Sequence, residues 1–298
     1  MLKFISTFLM LVIGSTAFAG PRILFLVDID DTLKPTMIRG SLLTKGYRHF
    51  FTSDGFVGMR EILQHVDQHV DAEIAYVTNT PTFLTWPHKR FLKTHGYPQS
   101  GNIYPRNVRE LISETIEKKR ARGGSVIPAH KLKQDIELIS SESWDAVVSL
   151  GDNGEHDADL FHELTGRYSD IPQITMVRNA YWDGDNEAFP HIPRFLTPLE
   201  IVYQLRRVMD LPKEGEIIRR LTNLLKADPG HVFAENNLRH SDAIERQQLL
   251  KSTLKSVVKR GNGLDVNSDE VHGAQFTLET LGWAKKPWLK CFDAFRTR

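Results

Sequence analysis

The chain has 298 residues, 41% of them hydrophobic and 25% charged, which is the composition of an ordinary soluble globular protein with ample material for a core. Its 38 Lys and Arg balance 37 Asp and Glu, and no basic tract interleaves with aromatic residues, so neither a polyanion-binding bias nor a nucleic-acid partner is indicated. With a single cysteine, Cys291, an intrachain disulfide is excluded, and a domain of this size does not need one.

The first nineteen residues read differently from the rest. Lys3 precedes a mostly apolar run over residues 4–13, and Ala17-Phe18-Ala19 has the small-x-small spacing of a signal-peptidase site. The run is short for a membrane span. Residues 1–19 are therefore expected to be a signal peptide, and the mature chain to be exported, periplasmic or secreted. Their removal takes away Lys3 and no acid, which leaves the mature chain formally neutral.

Beyond that segment, strand-like runs alternate with helical spacing. Residues 22–29 form a continuous apolar run, as in a buried strand. A helix is predicted over 56–70, with Met59, Ile62, Leu63 and Val66 on one face. Residues 74–77 predict a second strand and 83–94 a helix beginning after Pro87. A helix over 106–121 is ended by Gly123-Gly124. Then come a helix over 131–140, a strand over 146–150, a helix over 158–164 and a strand over 174–177. Strict alternation of this kind predicts an α/β fold, a doubly wound parallel sheet with helices on both faces.

After residue 197 the pattern changes to helices over 199–209, 214–226 and 244–259, with no strand between them. Residues 20–197 are thus expected to form the α/β core and residues 198–298 a helical C-terminal extension. In the last of these helices Ile244, Leu249, Leu250, Leu254, Val257 and Val258 share an apolar face, with Lys251, Lys255 and Lys259 nearby. Such a helix either rests peripherally on an anionic membrane or packs on a core with its lysines solvated, the second being the more common arrangement.

The first strand ends in Asp28-Ile29-Asp30-Asp31, three carboxylates in four positions. Buried charge is costly unless it is paired or bound to a metal. In a doubly wound sheet, ligands bind at the carboxyl ends of strands. Thr78-Asn79, the region entered from Lys131, and Gly151-Asp152-Asn153-Gly154-Glu155-His156-Asp157 fall at corresponding ends. A cluster of oxygen ligands favours Mg²⁺ over Zn²⁺, and Asp28, Asp30, Asp152 and Asp157 are the candidate metal residues. Asp28 can act as a nucleophile that forms an acyl-phosphate. Asp30 is placed to protonate the leaving oxygen and then deprotonate water. Thr78, with Asn79 beside it, can bind phosphoryl oxygens, and Lys131 can offset the accumulated negative charge. Alternatives stay open at two points: Lys133 competes with Lys131, and Asn153 could supply the ligand oxygen while Asp157 orients the lysine. Asp31 is read as a ligand for the loop backbone rather than for metal.

Four segments together carry a resemblance. Asp28-Ile29-Asp30-Asp31-Thr32, Tyr76-Val77-Thr78-Asn79, His130-Lys131, and Gly151-Asp152 with Asp157 resemble, in order and rough spacing, the four motifs of the haloacid dehalogenase superfamily of phosphotransferases. With Lys34, Thr36, Thr80 and Pro81 they look like one branch, the catalytic domain of the actin-patch-type phosphatidate phosphatases, distant relatives of the lipins. Thr78 and Thr80 stand where that branch has serines, which preserves both hydroxyls.

The resemblance implies a Rossmann-like core and a Mg²⁺-dependent phosphomonoesterase, with phosphatidate or a similar lipid phosphate among its substrates. Two other readings accompany it: a broad-specificity acid phosphatase acting on soluble phosphomonoesters, and a non-catalytic phospholipid-binding module on the same fold. The intervals between motifs are too short for a full cap domain, so a minimal cap and an open site are expected.

Overall fold

The computed structural model describes residues 20–39, 41–51, 54–107, 129–181, 192–230, 243–260 and 268–284. The expected signal peptide, and nearly all of the helix expected over 106–121, lie outside them.

Six strands form one parallel sheet: β1 (Ile23–Asp28), β2 (Ala72–Pro81), β3 (Asn102–Arg106), β4 (Ala146–Asp152), β5 (Gln173–Arg178) and β6 (Arg194–Phe195), in the order β3-β2-β1-β4-β5-β6. The chain builds outward from β1 to β3, then crosses back and builds outward on the other side. Its direction therefore reverses between β1 and β4, which is where a crevice opens at the carboxyl ends of the strands.

The two faces of β1 show why the run is apolar throughout. Successive side chains of a strand point to opposite faces. Ile23, Phe25 and Val27 accordingly join one core and Leu24 and Leu26 another, and all are buried. Helices α1 (Leu42–Phe51), α2 (Met59–His69) and α3 (Trp86–His95) precede β3, whereas α4 (Ala129–Ser141) and α5 (Asp157–Arg167) flank β4. Leu138, Ile139, Leu160, Phe161 and Leu164 of α4 and α5 cover the Leu24 face.

The remaining helices, α6 (Pro198–Leu205), α7 (Glu214–Ala227), α8 (Ala243–Arg260) and α9 (Ser268–Thr280), close the Phe25 face together with α2. Leu250, Leu254 and Val257 of α8 belong to the same core as β1, so most of the apolar face of that helix is spent inside the protein, with Ile244 left exposed in its first turn. Polar links fasten the layer. Thr197 and Glu200 form a capping box at the start of α6, and Glu200 also accepts a hydrogen bond from Thr277 of α9 at 3.2 Å. Arg194 pairs with Glu270 at 3.0 Å.

Four described elements go beyond the expected set, and each has a reason. Strand β3 is a five-residue edge strand containing Pro105, which cannot donate to a ladder. Strand β6 is two residues long. Helix α9 buries Gly273, Ala274 and Thr277, small or polar residues that leave weak helical periodicity. Helix α1 repeats apolar residues at helical spacing, but Gly46 interrupts the stripe and Tyr47 and Phe51 are exposed.

Leu254 is fully buried where α8 meets this core. Leu254→Ala is expected to cost about 2–5 kcal/mol through lost transfer energy and the cavity left behind. Urea unfolding of the full chain measures it.

Candidate active site

The loop after β1 is shaped by Asp31. Its backbone is left-handed, with φ 55°, a conformation that aspartate tolerates better than most residues. Its carboxylate accepts the backbone N–H groups of Thr36 at 2.7 Å, Met37 at 2.8 Å and Ile38 at 2.8 Å, and the hydroxyl of Tyr181. From below, Arg178 at the end of β5 donates to the carbonyls of Thr32 at 3.0 Å and Leu196 at 2.9 Å. Its guanidinium lies between the rings of Phe56 and Phe195, 4.1 and 4.7 Å from their centroids. Burial pulls the Arg178 pKa down to about 9, which leaves it protonated at neutral pH. The loop that presents Asp30 is thus held from both sides.

Asp28 ends β1 and Asp152 ends β4, on either side of the switch point. Both are buried. Lys131, in the first turn of α4, donates to Asp28 Oδ1 at 2.9 Å and to Asp157 Oδ1 at 2.5 Å. The other oxygen of Asp157 accepts the backbone N–H of Asp152 at 3.1 Å, so both of its oxygens are engaged. Gly151 is required by this approach, because a Cβ there would collide with the Asp157 carboxylate. Asn153 is bound to the far loop, donating to Asn179 at 2.9 Å and to the Tyr181 carbonyl at 2.8 Å. Lys133, the alternative lysine, lies on the surface and pairs with Glu137 at 3.8 Å.

Asp30 points to the β2 side. Thr78 and Thr80 hydroxyls donate to its Oδ2 at 3.3 and 3.4 Å, and His88 Nε2 stands 3.2 Å from the same oxygen. His49 of α1 approaches Oδ1 at 4.0 Å. Asn79 reaches across to donate to Glu155. Arg106 terminates β3 and is half-buried, and its carbonyl accepts from Thr82. His130 is buried, and His156 pairs with Asp159 at 3.2 Å.

The charges decide what the crevice can hold. Burial drives Asp28 and Asp152 well above the ordinary carboxylate range, and their acidic neighbours add to the rise. Lys131 would be lowered by burial, yet Asp157, Asp28 and Glu155 raise it well above the usual lysine range. Asp30 is the exception. Burial would raise it, but His88, His49 and Lys34 together hold it below the usual range. One oxygen each of Asp28, Asp30 and Asp152 is buried with no hydrogen-bond partner in the protein. Asp28, Glu155 and Asp157 offer ligand atoms within 4.8 Å of one another, as do Asp30, His49 and His88. Buried carboxylate oxygens without a protein partner, beside such groupings of ligand atoms, fit a divalent cation.

The family model described as phosphatidate phosphatase APP1, catalytic domain, matches residues 23–179, more than half of the chain. The chain belongs to that family. It is a phosphoric monoester hydrolase with a parallel α/β core. No curated protein matches it. Among solved structures it is similar to the class C acid phosphatase from Bacillus anthracis with tungstate bound, at 14% identity over 73% of this chain and 85% of that one, with a TM-score of 0.34.

Asp28, Asp30, Thr78, Asn79, Lys131, Asp152 and Asp157 therefore converge on one crevice. Glu155 lies inside the stretch that follows β4 but carried no separate signal. His88, His49, Tyr181 and Arg178 join the site from elements that the motif spacing does not mark.

Burial and nearby acids push Glu155 up to about 7 and Asp135, also close to Lys131, up to about 8. Both stay protonated in the fold at pH values where the unfolded chain ionises them. Their contribution is full at about pH 4 and is lost as pH rises through about 7 and 8. In chelator, the thermal midpoint is expected to fall between about pH 5 and pH 8. A divalent cation should raise the midpoint more at pH 8 than at pH 5, since its ligands must be deprotonated. Scanning calorimetry over that range checks both signs.

Proposed function

We propose that this protein is an exported Mg²⁺-dependent phosphomonoesterase that works through an aspartyl-phosphate on Asp28, with phosphatidate or a similar lipid phosphate as its substrate. One observation carries the chemistry. Lys131 fixes Asp28 Oδ1 at 2.9 Å while Oδ2 is buried and has no hydrogen-bond partner, so one oxygen is anchored and the other is left to attack.

In the first half-reaction Asp28 Oδ2 bonds to phosphorus and the ester P–O bond breaks. Asp30, ionised in the free site, must first take up a proton, which the negative charge of an incoming phosphoryl group favours. It gives that proton to the departing alcohol oxygen, and His88 at 3.2 Å is positioned to steady the carboxylate that remains. In the second, water attacks phosphorus, Asp30 takes its proton, and the Asp28–phosphorus bond breaks to release phosphate. The Thr78 hydroxyl and Asn79 amide hold phosphoryl oxygens, and Lys131 offsets the charge shared by Asp28 and the phosphoryl group. Asp157, with both oxygens engaged, orients Lys131. Asp28 and Asp152, with the backbone carbonyl of Asp30, would hold Mg²⁺, which supplies neutralisation of the transferring group when bound.

Two observations support a lipid substrate. The matching family bears the name of phosphatidate hydrolysis. Among the described residues, the intervals on either side of β2 place short helices near Asp30 rather than a closing domain. A crevice that does not surround its substrate forgoes remote binding energy with small molecules. Export rests on Ala17-Phe18-Ala19, and intact-mass measurement of the mature chain checks it.

Asp28→Asn is expected to abolish turnover, because an amide is a poor nucleophile. Asp30→Asn should lower the rate by roughly 10²–10⁴. Full activity in purified Asp28→Asn protein would remove Asp28 as the nucleophile. For substrate, kcat/KM for short-chain phosphatidate should exceed that for a nucleoside monophosphate and a sugar phosphate at one Mg²⁺ concentration. A preference for either soluble compound would leave a phosphatase of broad specificity.

A further inference from the structure

Among the described residues five large apolar side chains are exposed: Tyr47, Phe51, Phe83, Trp86 and Ile244. Four of them lie on one rim of the active site. Tyr47 and Phe51 fall at i and i+4 of α1, with Phe50 beside them, and Trp86 opens α3. Their rings form a chain: Tyr47 to Phe51 at 5.3 Å, Phe51 to Phe50 at 6.4 Å, and Phe50 to Trp86 at 5.7 Å between centroids. Phe83 sits in the short turn between β2 and α3, which is tied to α1 where His49 Nε2 meets the Leu84 carbonyl at 3.3 Å.

The rim is fastened to the catalytic loop. Lys34 donates to the His49 carbonyl at 2.5 Å, and His49 and His88, one from each helix, face Asp30. Between the helices lies a cavity of about 130 Å³ lined by Phe50, Phe51, Pro87 and Phe91 together with Lys34 and Arg90, so the rings do not close down into a core. Aromatic residues left in water beside a crevice mark a surface that another phase or molecule covers.

Charge narrows the choice of what covers it. The sequences of α1 and α3 contain Lys45, Arg48, Lys89, Arg90 and Lys93 and no aspartate or glutamate, in a chain whose charges otherwise balance. Lys89, Arg90 and Lys93 are exposed on α3. Aromatic rings bordered by cations match the headgroup zone of an anionic bilayer, where rings enter the interface and cations meet phosphates.

We infer that the rim formed by α1, the turn at Phe83 and the start of α3 docks the protein on an anionic lipid surface, and so sets the Asp28–Asp30 crevice against the headgroups. This rests on the lipid-phosphate reading of the site. It replaces α8 as the membrane-facing candidate, since Leu250, Leu254 and Val257 of α8 are buried in the core.

The test uses the full chain in chelator and sucrose-loaded vesicles of phosphatidylcholine, alone or mixed with phosphatidylglycerol, a phosphodiester that the enzyme is not expected to cleave. The wild type should cosediment with the anionic vesicles more than with neutral ones. The double variant Phe51→Ser/Trp86→Ser should bind at least about tenfold more weakly, and Lys89→Glu should lose the preference for anionic vesicles. With Mg²⁺ restored, the double variant should hydrolyse monomeric short-chain phosphatidate like the wild type and vesicle-borne phosphatidate more slowly. Wild-type protein that stays in the supernatant, or a double variant that binds and turns over vesicles normally, would overturn the docking surface; the first result would assign the rim to a protein partner instead. Vesicle binding without hydrolysis of either phosphatidate would sink the substrate and leave the docking standing.

Discussion

A carboxylate taken out of water must be compensated by a cation or by hydrogen bonds, and this crevice crowds several of them together. Asp28 and Asp152 come from neighbouring strands, Glu155 from the turn after β4, Asp157 from the start of α5, and Asp30 from the loop after β1. Lys131 forms direct ion pairs with two of these, Asp28 and Asp157. Asp31 is satisfied by three backbone N–H groups and Tyr181, and Asp30 by two hydroxyls and His88. What remains unpaired is one oxygen each on Asp28, Asp30 and Asp152. A divalent cation and a phosphoryl group would complete the balance, and binding them would stabilise the fold by mass action.

The rest of the molecule serves to keep those groups in place. The reversal of strand order between β1 and β4 brings Asp28 beside Asp152, and burial of β1 on both faces keeps that strand from shifting. Arg178 shows how far the scaffold goes: a guanidinium is buried between two aromatic rings so that it can hold the carbonyl of Thr32. The C-terminal helices complete the core on which that arginine rests, through Phe195, Leu196 and the capping box at Thr197. On the opposite side of the crevice the architecture loosens, and α1 and α3 carry their aromatic rings outward.

Much of this was legible in the sequence, and the reasons differ by feature. A strand buried on both faces must be apolar throughout, so β1 and β4 stand out, and the polar residues that end them mark the crevice. Lys131 could be chosen over Lys133 because it follows a histidine as in the family motif, and the surface pairing of Lys133 gives the physical reason. Asp157 was less legible: spacing identifies the carboxylate but does not say whether its oxygens meet a metal or a lysine. His88 and Arg178 left no signal, since one acts from a helix ten residues beyond Thr78 and the other from the far end of β5. Strand β3 is short and interrupted by Pro105, and α1 has helical spacing but turns its rings to water, so neither stands out as a core element.

The central claim is that Asp28 carries the phosphoryl group between alcohol and water. The most direct measurement is rapid acid quenching of Asp30→Asn protein mixed with ³²P-labelled phosphomonoester and Mg²⁺, followed by peptide mapping. With a nitrophenyl ester, whose leaving group needs no protonation, loss of the Asp30 carboxylate removes only the base that activates water, so the covalent species should accumulate. The account predicts hydroxylamine-sensitive label on the peptide containing Asp28, formed in step with release of one equivalent of alcohol. Release of that alcohol with the protein unlabelled, or with label on another residue, would contradict it.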